Sequence, residues 1–309
     1  MQVRVTRSGE AMAQPALNSA PRTGTEALER AVARTLAYFA LFSYAPSPWE
    51  THRYLHGVRA TPEQVRRVLR RQSPRRIPDG HGEELGPGPG SSASFREGDP
   101  GARRSRRYGR LLGHMPYVRM VGLTGSRAMN GSSVDDIDLM VVSAPGRVWL
   151  CRLAVVAAVR LARLGGDTLC PNYVVSAACL ALPEMTIYDA HELAQMIPLY
   201  GGATYRTLWA RNAAVSEYLP NADPFPEPRD RLIAGMGLMK RLCELLLAGR
   251  LGDRLERWER NRKVARLRGQ GITSSEVSLT ADQCKGHFDG HRARVLDAYA
   301  RLRAEFEGA

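Results

Sequence analysis

The chain has 309 residues and is 44% hydrophobic, enough for two or three domains with cores of their own. Its formal net charge is +13, and of 44 basic residues all but Lys240, Lys263 and Lys285 are arginine. This suits a polyanionic or phosphate-bearing partner, although solvated arginine-rich faces are the simpler reading. Five scattered cysteines with no CxxC pair exclude a disulfide frame and point to a reducing, cytoplasmic setting.

Residues 1–24 lack the apolar segment of a signal peptide and read as a loose, disordered tail. From Thr25 the apolar residues Leu28, Val32, Leu36, Phe39 and Phe42 recur at helical spacing. Ser47 caps a second short helix. Thr61, Pro62 and Gln64 supply the N-cap, the first-turn proline and the capping-box partner of a third. The Gly/Pro/Ser-rich stretch "RRIPDGHGEELGPGPGSSASFREGDPG" then allows at most a hairpin. Three helices and a hairpin over residues 25–100 describe a winged-helix-like domain, with Arg66, Arg67, Arg70 and Arg71 along its third helix. Those arginines form either a nucleic-acid contact or the solvated face of a small helical domain that packs on the next domain of the chain.

Over residues 101–183 the pattern changes. Residues 102–115 make an amphipathic helix, with Tyr108, Leu111, Leu112 and Met115 on one side, arginines on another and Pro116 as its stop. A strand "YVRMVGLTG", a loop "SRAMNGSSV" and a second strand "DIDLMVVS" follow. Next come a helix over 147–164, ended by Gly165 and Gly166, and a third strand "CPNYVVS". The helix holds the most apolar run of the chain, but Arg152, Arg160 and Arg163 interrupt it, so it reads as a core helix and no membrane partner is expected. Beyond Pro183 the remaining region, 184–309, reads as helices broken at "PLYGG", "LPNADPFPEP" and "RGQGITSSEVS".

In the second strand Asp136 and Asp138 are two residues apart and project to the same face. Carboxylates that close raise each other's ionisation cost within an apolar run, and a cation resolves the conflict. Mg²⁺, for which Mn²⁺ can substitute, prefers a few carboxylate oxygens together with substrate phosphates. Two such ions about 3.5–4 Å apart activate an attacking oxygen and stabilise a leaving one. Gly125 permits a sharp turn and a close backbone approach to a ligand, and Ser126 adds an N–H and a hydroxyl for a phosphate tail. A hairpin with an acidic start explains Asp135 but not Asp138, which lies inside the strand.

Hydrophobic Leu123, Thr124 and the pair Gly125-Ser126, then nine intervening residues and Asp–hydrophobic–Asp–hydrophobic, run from Leu123 to Leu139. This resembles the signature of the DNA polymerase β-like nucleotidyltransferase superfamily, and the order of elements around it is compatible over about a third of the chain. Through "VRMVGLTGS", "GRVWL", "CPNYVVS" and "AHELAQMIPLYG" the wider chain is similar to bacterial nucleotidyltransferase-domain proteins with an N-terminal winged helix. The resemblance implies an α/β (α+β) nucleotidyltransferase fold with a mixed sheet, flanked by the winged-helix-like domain and a helical C-terminal region. It implies a nucleoside triphosphate held by Gly125, Ser126 and Arg127, with Mg²⁺ on Asp136 and Asp138. Transfer of a nucleoside monophosphate to an acceptor hydroxyl of a small molecule, sugar or protein would then release pyrophosphate. The alternatives are a catalytically inactive, nucleotide-sensing regulator that binds DNA, and an enzyme directed at RNA.

Members of the superfamily usually carry a third carboxylate on the next strand, where this chain offers Asn172. An amide can ligate a metal but cannot accept a proton. Either Asn172 is a neutral ligand, or Asp167, Glu184 or Asp189 takes the missing place, or transfer has been lost.

"SLTADQCKGHFDGHRARVLDAYARLR", with Thr280 and Gln283 spaced as a capping box, reads as a C-terminal helix. Gly286 and Gly290, one turn apart, would admit either a ligand or a second helix. The first option makes Lys285 a phosphate contact. Cys284, His287 and His291 have zinc-like spacing without a fourth ligand nearby and fit a core stripe better.

Overall fold

The computed structural model describes residues 24–72, 100–129, 136–230, 233, 235–269, 278–285 and 291–308. Three helices come first, α1 (Gly24–Ala40), α2 (Pro48–Arg53) and α3 (Pro62–Gln72). The starts of α2 and α3 that the sequence marks are present. Ser47 accepts from the Glu50 N–H at 3.2 Å while the Glu50 carboxylate accepts from the Ser47 N–H at 2.8 Å. Thr61 and Gln64 make the same reciprocal pair, at 3.3 and 2.8 Å. Val32, Leu55, Val65 and Val68 form the core of these helices. The hairpin expected after them falls on residues 73–99, outside the described residues.

The central unit runs α4 (Pro100–Gly113), β1 (Val118–Leu123), α5 (Ser126–Met129), β2 (Asp136–Ser143), α6 (Val148–Leu164) and β3 (Thr168–Ser176). This is the order expected from the sequence, with the short α5 added where a loop is expected. β1 lies antiparallel to β2, with Leu123 opposite Leu139, and β3 lies parallel to β2. A parallel pair needs a long crossover, and α6 supplies it.

Downstream are α7 (Ile187–Gln195), β4 (Ile197–Tyr200), α8 (Gly202–Arg211), α9 (Val215–Tyr218), α10 (Met236–Leu246), α11 (Arg250–Gly269), β5 (Ser278–Leu279), β6 (Gln283–Lys285) and α12 (His291–Gly308). The all-helical reading of this region is therefore corrected in two places. "IPLY" is strand β4, paired antiparallel with β1 far upstream; a short apolar run has no period that separates strand from helix. The capping box expected at Thr280 is a hairpin turn. Thr280 N–H donates to the Gln283 carbonyl at 2.9 Å, and Thr280 Oγ1 accepts from the Asp282 N–H at 3.2 Å. The side chain that could cap a helix instead closes a turn on its own backbone. Cys284 is accordingly buried on a strand and not in a helical stripe. Gly286, His287 and Gly290 lie outside the described residues.

Among the described residues the six strands are ordered β4-β1-β2-β3-β6-β5, and of these only β2 and β3 run parallel. The molecule is thus a mixed α/β chain around a mixed sheet. On one face Leu123, Ile137, Leu139 and Val141 pack with Trp149 and Val155 of α6 and Leu112 of α4. On the other, Met120, Met140 and Val142 pack with Leu193 and Ala194 of α7 and with Tyr205 and Leu208 of α8. Because side chains alternate along a strand, Asp136 and Asp138 fall on this second face, the one that α7 covers. The N-terminal helices are tied to the same side: Phe39 joins the second core, and Tyr38 packs with Val295 and Tyr299 of α12.

Helix α10 is inverted relative to an ordinary surface helix. Lys240 donates to the carbonyls of Gly113 and Val118 at 2.8 and 2.6 Å, and Glu244 binds Arg119 at 2.9 Å, so its charged side faces inward. Leu238, Leu245 and Leu246 are left exposed. Among the described residues no helix is long and apolar enough to cross a membrane.

Candidate functional site

Asp136 and Asp138 open β2, the first exposed and the second half-buried, while Ile137 and Leu139 are buried on the opposite face. The turn leading out of β1 is folded directly onto this pair. Thr124 N–H donates to the Asp138 carbonyl oxygen at 2.9 Å. Gly125 has φ of 71°, in the left-handed region, and a Cβ on it would run into the Asp138 carboxylate and lie 3.1 Å from the Asp138 Cβ. Only glycine fits, for conformation and for space. Ser126 is exposed and Arg127 half-buried on α5, which begins at the next residue.

Asn172 reaches the pair through an irregularity in the sheet. Leu139 is opposite Pro171 and Met140 is opposite Tyr173, so Asn172 is an extra residue with no partner on β2. A bulge of this kind re-aims a side chain. Here the Asn172 amide donates to Asp138 Oδ1 at 2.6 Å. Cys170, opposite Asp138 in the register, places its thiol 3.5 Å from Asp136 Oδ2. Burial, with Asp136 beside it, holds that thiol up at about 11.

Burial raises the Asp138 carboxyl above the ordinary carboxylate range; the Asn172 hydrogen bond works against this and the Asp136 charge adds to it. Burial is the larger cause of that rise and the neighbouring carboxylate the smaller, so it is the apolar setting more than the pairing that disfavours the ionised form of Asp138. A cavity of about 100 Å³ lies beside the pair, between β3 and α7. Asn172, Glu192 and Lys285 contribute to its lining, and Leu180, Leu182, Leu193 and Leu208 form much of its wall. Burial pushes the Glu192 carboxyl up to about 7, helped by the charges of Asp138 and Asp189 and opposed by Lys285. Among the described residues the Glu192 carboxylate makes no hydrogen bond or ion pair.

The structure thus brings Asp136, Asp138, Asn172 and Gly125 together, with Ser126 and Arg127 next along the chain. Lys285 joins them from strand β6, opposite Tyr173, with its ammonium 5.8 Å from that ring's centroid. It gets there by strand pairing, not by the helical turn expected from the sequence. The other carboxylates considered are placed elsewhere or already engaged. Asp167 is held by Tyr108 and by Arg104, the latter at 3.1 Å, and Glu184 is exposed. Asp189 lines the cavity but is committed to the Thr186 capping box and to Arg292 at 2.7 Å.

Sequence reasoning misses Glu192. Its signal is present: Asp189 and Glu192 are three apart, one face of a helix, immediately before the apolar pair Leu193 and Ala194. That spacing does not say which helix face meets a sheet. Among the described residues no group of three or more His, Cys, Asp or Glu is placed to hold a metal ion.

No protein-family model matches the chain, and comparison with the curated proteins and with the solved structures finds no match. The geometry itself defines a class: a mixed α/β protein whose sheet presents two adjacent carboxylates under a glycine turn, beside a largely apolar cavity.

Proposed function

We propose that the protein is a nucleotidyltransferase of the DNA polymerase β-like kind, with α1–α3 as its winged-helix-like domain. It moves a nucleoside monophosphate from a nucleoside triphosphate to an acceptor hydroxyl and releases pyrophosphate. The observation that carries this reading is the contact of left-handed Gly125 with Asp138, on the strand face that Asp136 shares.

The residues fit Mg²⁺. That ion takes one or two carboxylates and completes its shell with water and substrate phosphate, so a three-ligand protein cage is not required. Burial leaves Asp138 with a raised pKa, a strain that a cation relieves. Asp136 and Asp138 would hold the ion, which when bound supplies charge neutralisation for the phosphates.

Gly125 and Ser126 receive the triphosphate with backbone N–H groups and a hydroxyl, and Arg127 and Lys285 supply cationic contacts. Asn172 positions Asp138 by donating to it and takes no proton. The acceptor oxygen bonds to the α-phosphorus as the bond to the bridging oxygen of the β-phosphate breaks, that electron pair leaving on pyrophosphate. Glu192 takes the hydroxyl proton; a carboxyl near 7 is matched to that task. The test is pyrophosphate release with each of the common triphosphates and a panel of hydroxyl acceptors. Asp138→Asn should lower it at least a hundredfold, and equal release from the variant would refute the assignment.

The second reading, a DNA-binding regulator that senses nucleotide without turnover, is favoured by one observation. Arg66, Arg67, Arg70 and Arg71 of α3 line a single surface groove with Glu63. Salt-dependent binding of a duplex DNA fragment, weakened in Arg67→Ala and Arg70→Ala, would support it, and so would the absence of pyrophosphate release.

A further inference from the structure

We propose that α10 and the first half of α11 form a surface that docks on a lipid bilayer carrying anionic headgroups. The contact is peripheral, since among the described residues no helix is long and apolar enough to cross a membrane. It goes beyond the transfer reading above and does not depend on it.

Helix α10 holds the protein by its polar side. Lys240 is engaged by the carbonyls of Gly113 and Val118, and Glu244 by Arg119. Leu238, Leu242 and Leu245 follow one another four and then three residues apart, with Met239 and Leu246 beside them, so the five cover the side away from Lys240. Leu245 and Leu246 are 73% and 75% exposed. An apolar stripe on a helix with a polar back is the pattern of a helix lying in the interface of a bilayer; here the rest of the protein takes up the polar back.

The charges of α10 and α11 are sorted by sign. Their four acids all have partners within the protein. Glu244 pairs with Arg119 at 2.9 Å, Asp253 with Arg147 at 2.7 Å and Glu259 with Arg262 at 2.7 Å. Glu256 accepts from the N–H groups of Trp149 and Leu150, each at 2.8 Å. Arg241, Arg250, Arg254 and Arg257 are exposed and make no ion pair among the described residues. The unpaired charge around the apolar stripe is therefore positive, which an anionic headgroup layer complements. The formal net charge of +13 adds long-range attraction to the same surface.

On α11, Leu251, Arg254 and Trp258 fall three and then four residues apart, on one helix face. Trp258 is 57% exposed, and the Arg262 guanidinium lies 5.4 Å from its ring centroid. An exposed indole among arginines suits the headgroup level, where the ring meets hydrocarbon and its N–H stays wet.

Other occupants satisfy only part of this surface. A nucleic acid complements the arginines and leaves the leucines in water. A second copy would set arginines against arginines. Helix α10 is also only about 16 Å long, a narrow stripe against the roughly 800 Å² per partner of a standard protein interface. A bilayer offers hydrocarbon to the stripe and phosphates to the arginines in one plane.

The test is flotation of the full-length protein with vesicles of phosphatidylcholine containing one-third phosphatidylglycerol, against vesicles of phosphatidylcholine alone. Binding to the anionic vesicles is expected, and at least tenfold weaker binding to the neutral ones. Leu242→Glu combined with Leu245→Glu should weaken anionic-vesicle binding at least tenfold; both positions are exposed, and circular dichroism checks that the variant is folded. Arg254→Glu combined with Arg257→Glu should weaken it as much while leaving the stripe untouched. A further readout needs no change on α10: lipids brominated on their acyl chains should quench part of the tryptophan fluorescence of the wild type, and that part should be missing in Trp258→Phe. Absence of anionic-vesicle binding, or full binding by the folded leucine variant, overturns the proposal. So does a dimer in sedimentation equilibrium that Leu245→Glu dissolves, which would make the stripe a contact between copies. Single-stranded RNA that binds the wild type and the leucine variant equally, where vesicles bind neither, would make it a nucleic-acid contact instead.

Discussion

Asn172 donates to Asp138 across 2.6 Å from a position that has no partner on the neighbouring strand. A bulge in the sheet brings a neutral amide where the superfamily signature that the sequence resembles carries a carboxylate. Asn172→Asp restores that carboxylate. Without a cation the new charge faces Asp138 in a half-buried setting, and the melting temperature should fall by a few degrees, corresponding to about 1–2 kcal/mol. Millimolar Mn²⁺ should then raise the melting temperature of the variant by more than it raises that of the wild type. Thermal scans with and without Mn²⁺ check this, and identical responses of the two proteins would count against a metal at Asp138.

Gly125 and Gly146 separate conformation from contact. Both are left-handed, with φ of 71° and 66°, but a Cβ at Gly146 meets nothing within 4 Å whereas one at Gly125 collides with Asp138. Gly146→Ala should cost about 1 kcal/mol, the left-handed penalty alone. Gly125→Ala should cost roughly 2–4 kcal/mol, because the turn must also lift off β2. Urea unfolding of the two variants measures the difference; equal midpoints would mean that the turn is not seated on the aspartate.

Glu192 and Asp138 make the apo protein less stable as pH rises. Their carboxyls are raised by burial, so between about 4 and 7 the folded state holds protons that the unfolded chain has released. Stability is then lost through that window, by an amount on the order of 3 kcal/mol from Glu192. Glu192→Gln should flatten the dependence in chemical denaturation at a series of pH values. A slope unchanged by the substitution would show that Glu192 is ionised well below 7.

A pair of histidines acts in the opposite sense. Gln195 Nε2 lies 3.0 Å from His191 Nδ1, His191 Nε2 lies 2.9 Å from His56 Nε2, and His56 Nδ1 lies 2.7 Å from the Tyr299 hydroxyl. With the amide of Gln195 donating, each ring passes one hydrogen to the next, and both histidines must be neutral. Burial lowers both, His56 to about 3. Below the ordinary histidine value of 6.5 the unfolded chain binds protons that the folded state refuses. The stabilisation is complete above 6.5 and declines as pH falls toward 3, by up to about 1.4 kcal/mol per pH unit for each ring. His56→Asn should remove much of that acid sensitivity. Because this chain of hydrogen bonds joins α7, α12 and the segment after α2, acid should loosen the N-terminal helices from the sheet, which hydrogen exchange on α1 reports.

Much of the site is legible in the sequence because its signals are local. The i, i+2 placement of Asp136 and Asp138 and the Gly125 turn before them follow from short-range backbone geometry, whereas the bulge that aims Asn172 exists only in the pairing of β3 with β2. The capping boxes at Ser47 and Thr61 are legible for the same reason, since a cap is defined by four consecutive residues. Thr280 and Gln283 show the limit of that reasoning: the same spacing serves a helix start or a hairpin turn, and the pairing of β6 with β3 settles the choice.

The sequence by itself determined the alternation that puts both aspartates on one side of a strand, because the period of two is a property of the extended chain. Only the tertiary structure decided which helix covers that side, and with it Glu192, the cavity and the route by which Lys285 arrives. Those depend on packing between segments far apart in the chain, where many helix faces and strand partners satisfy the same local pattern and only mutual burial selects one.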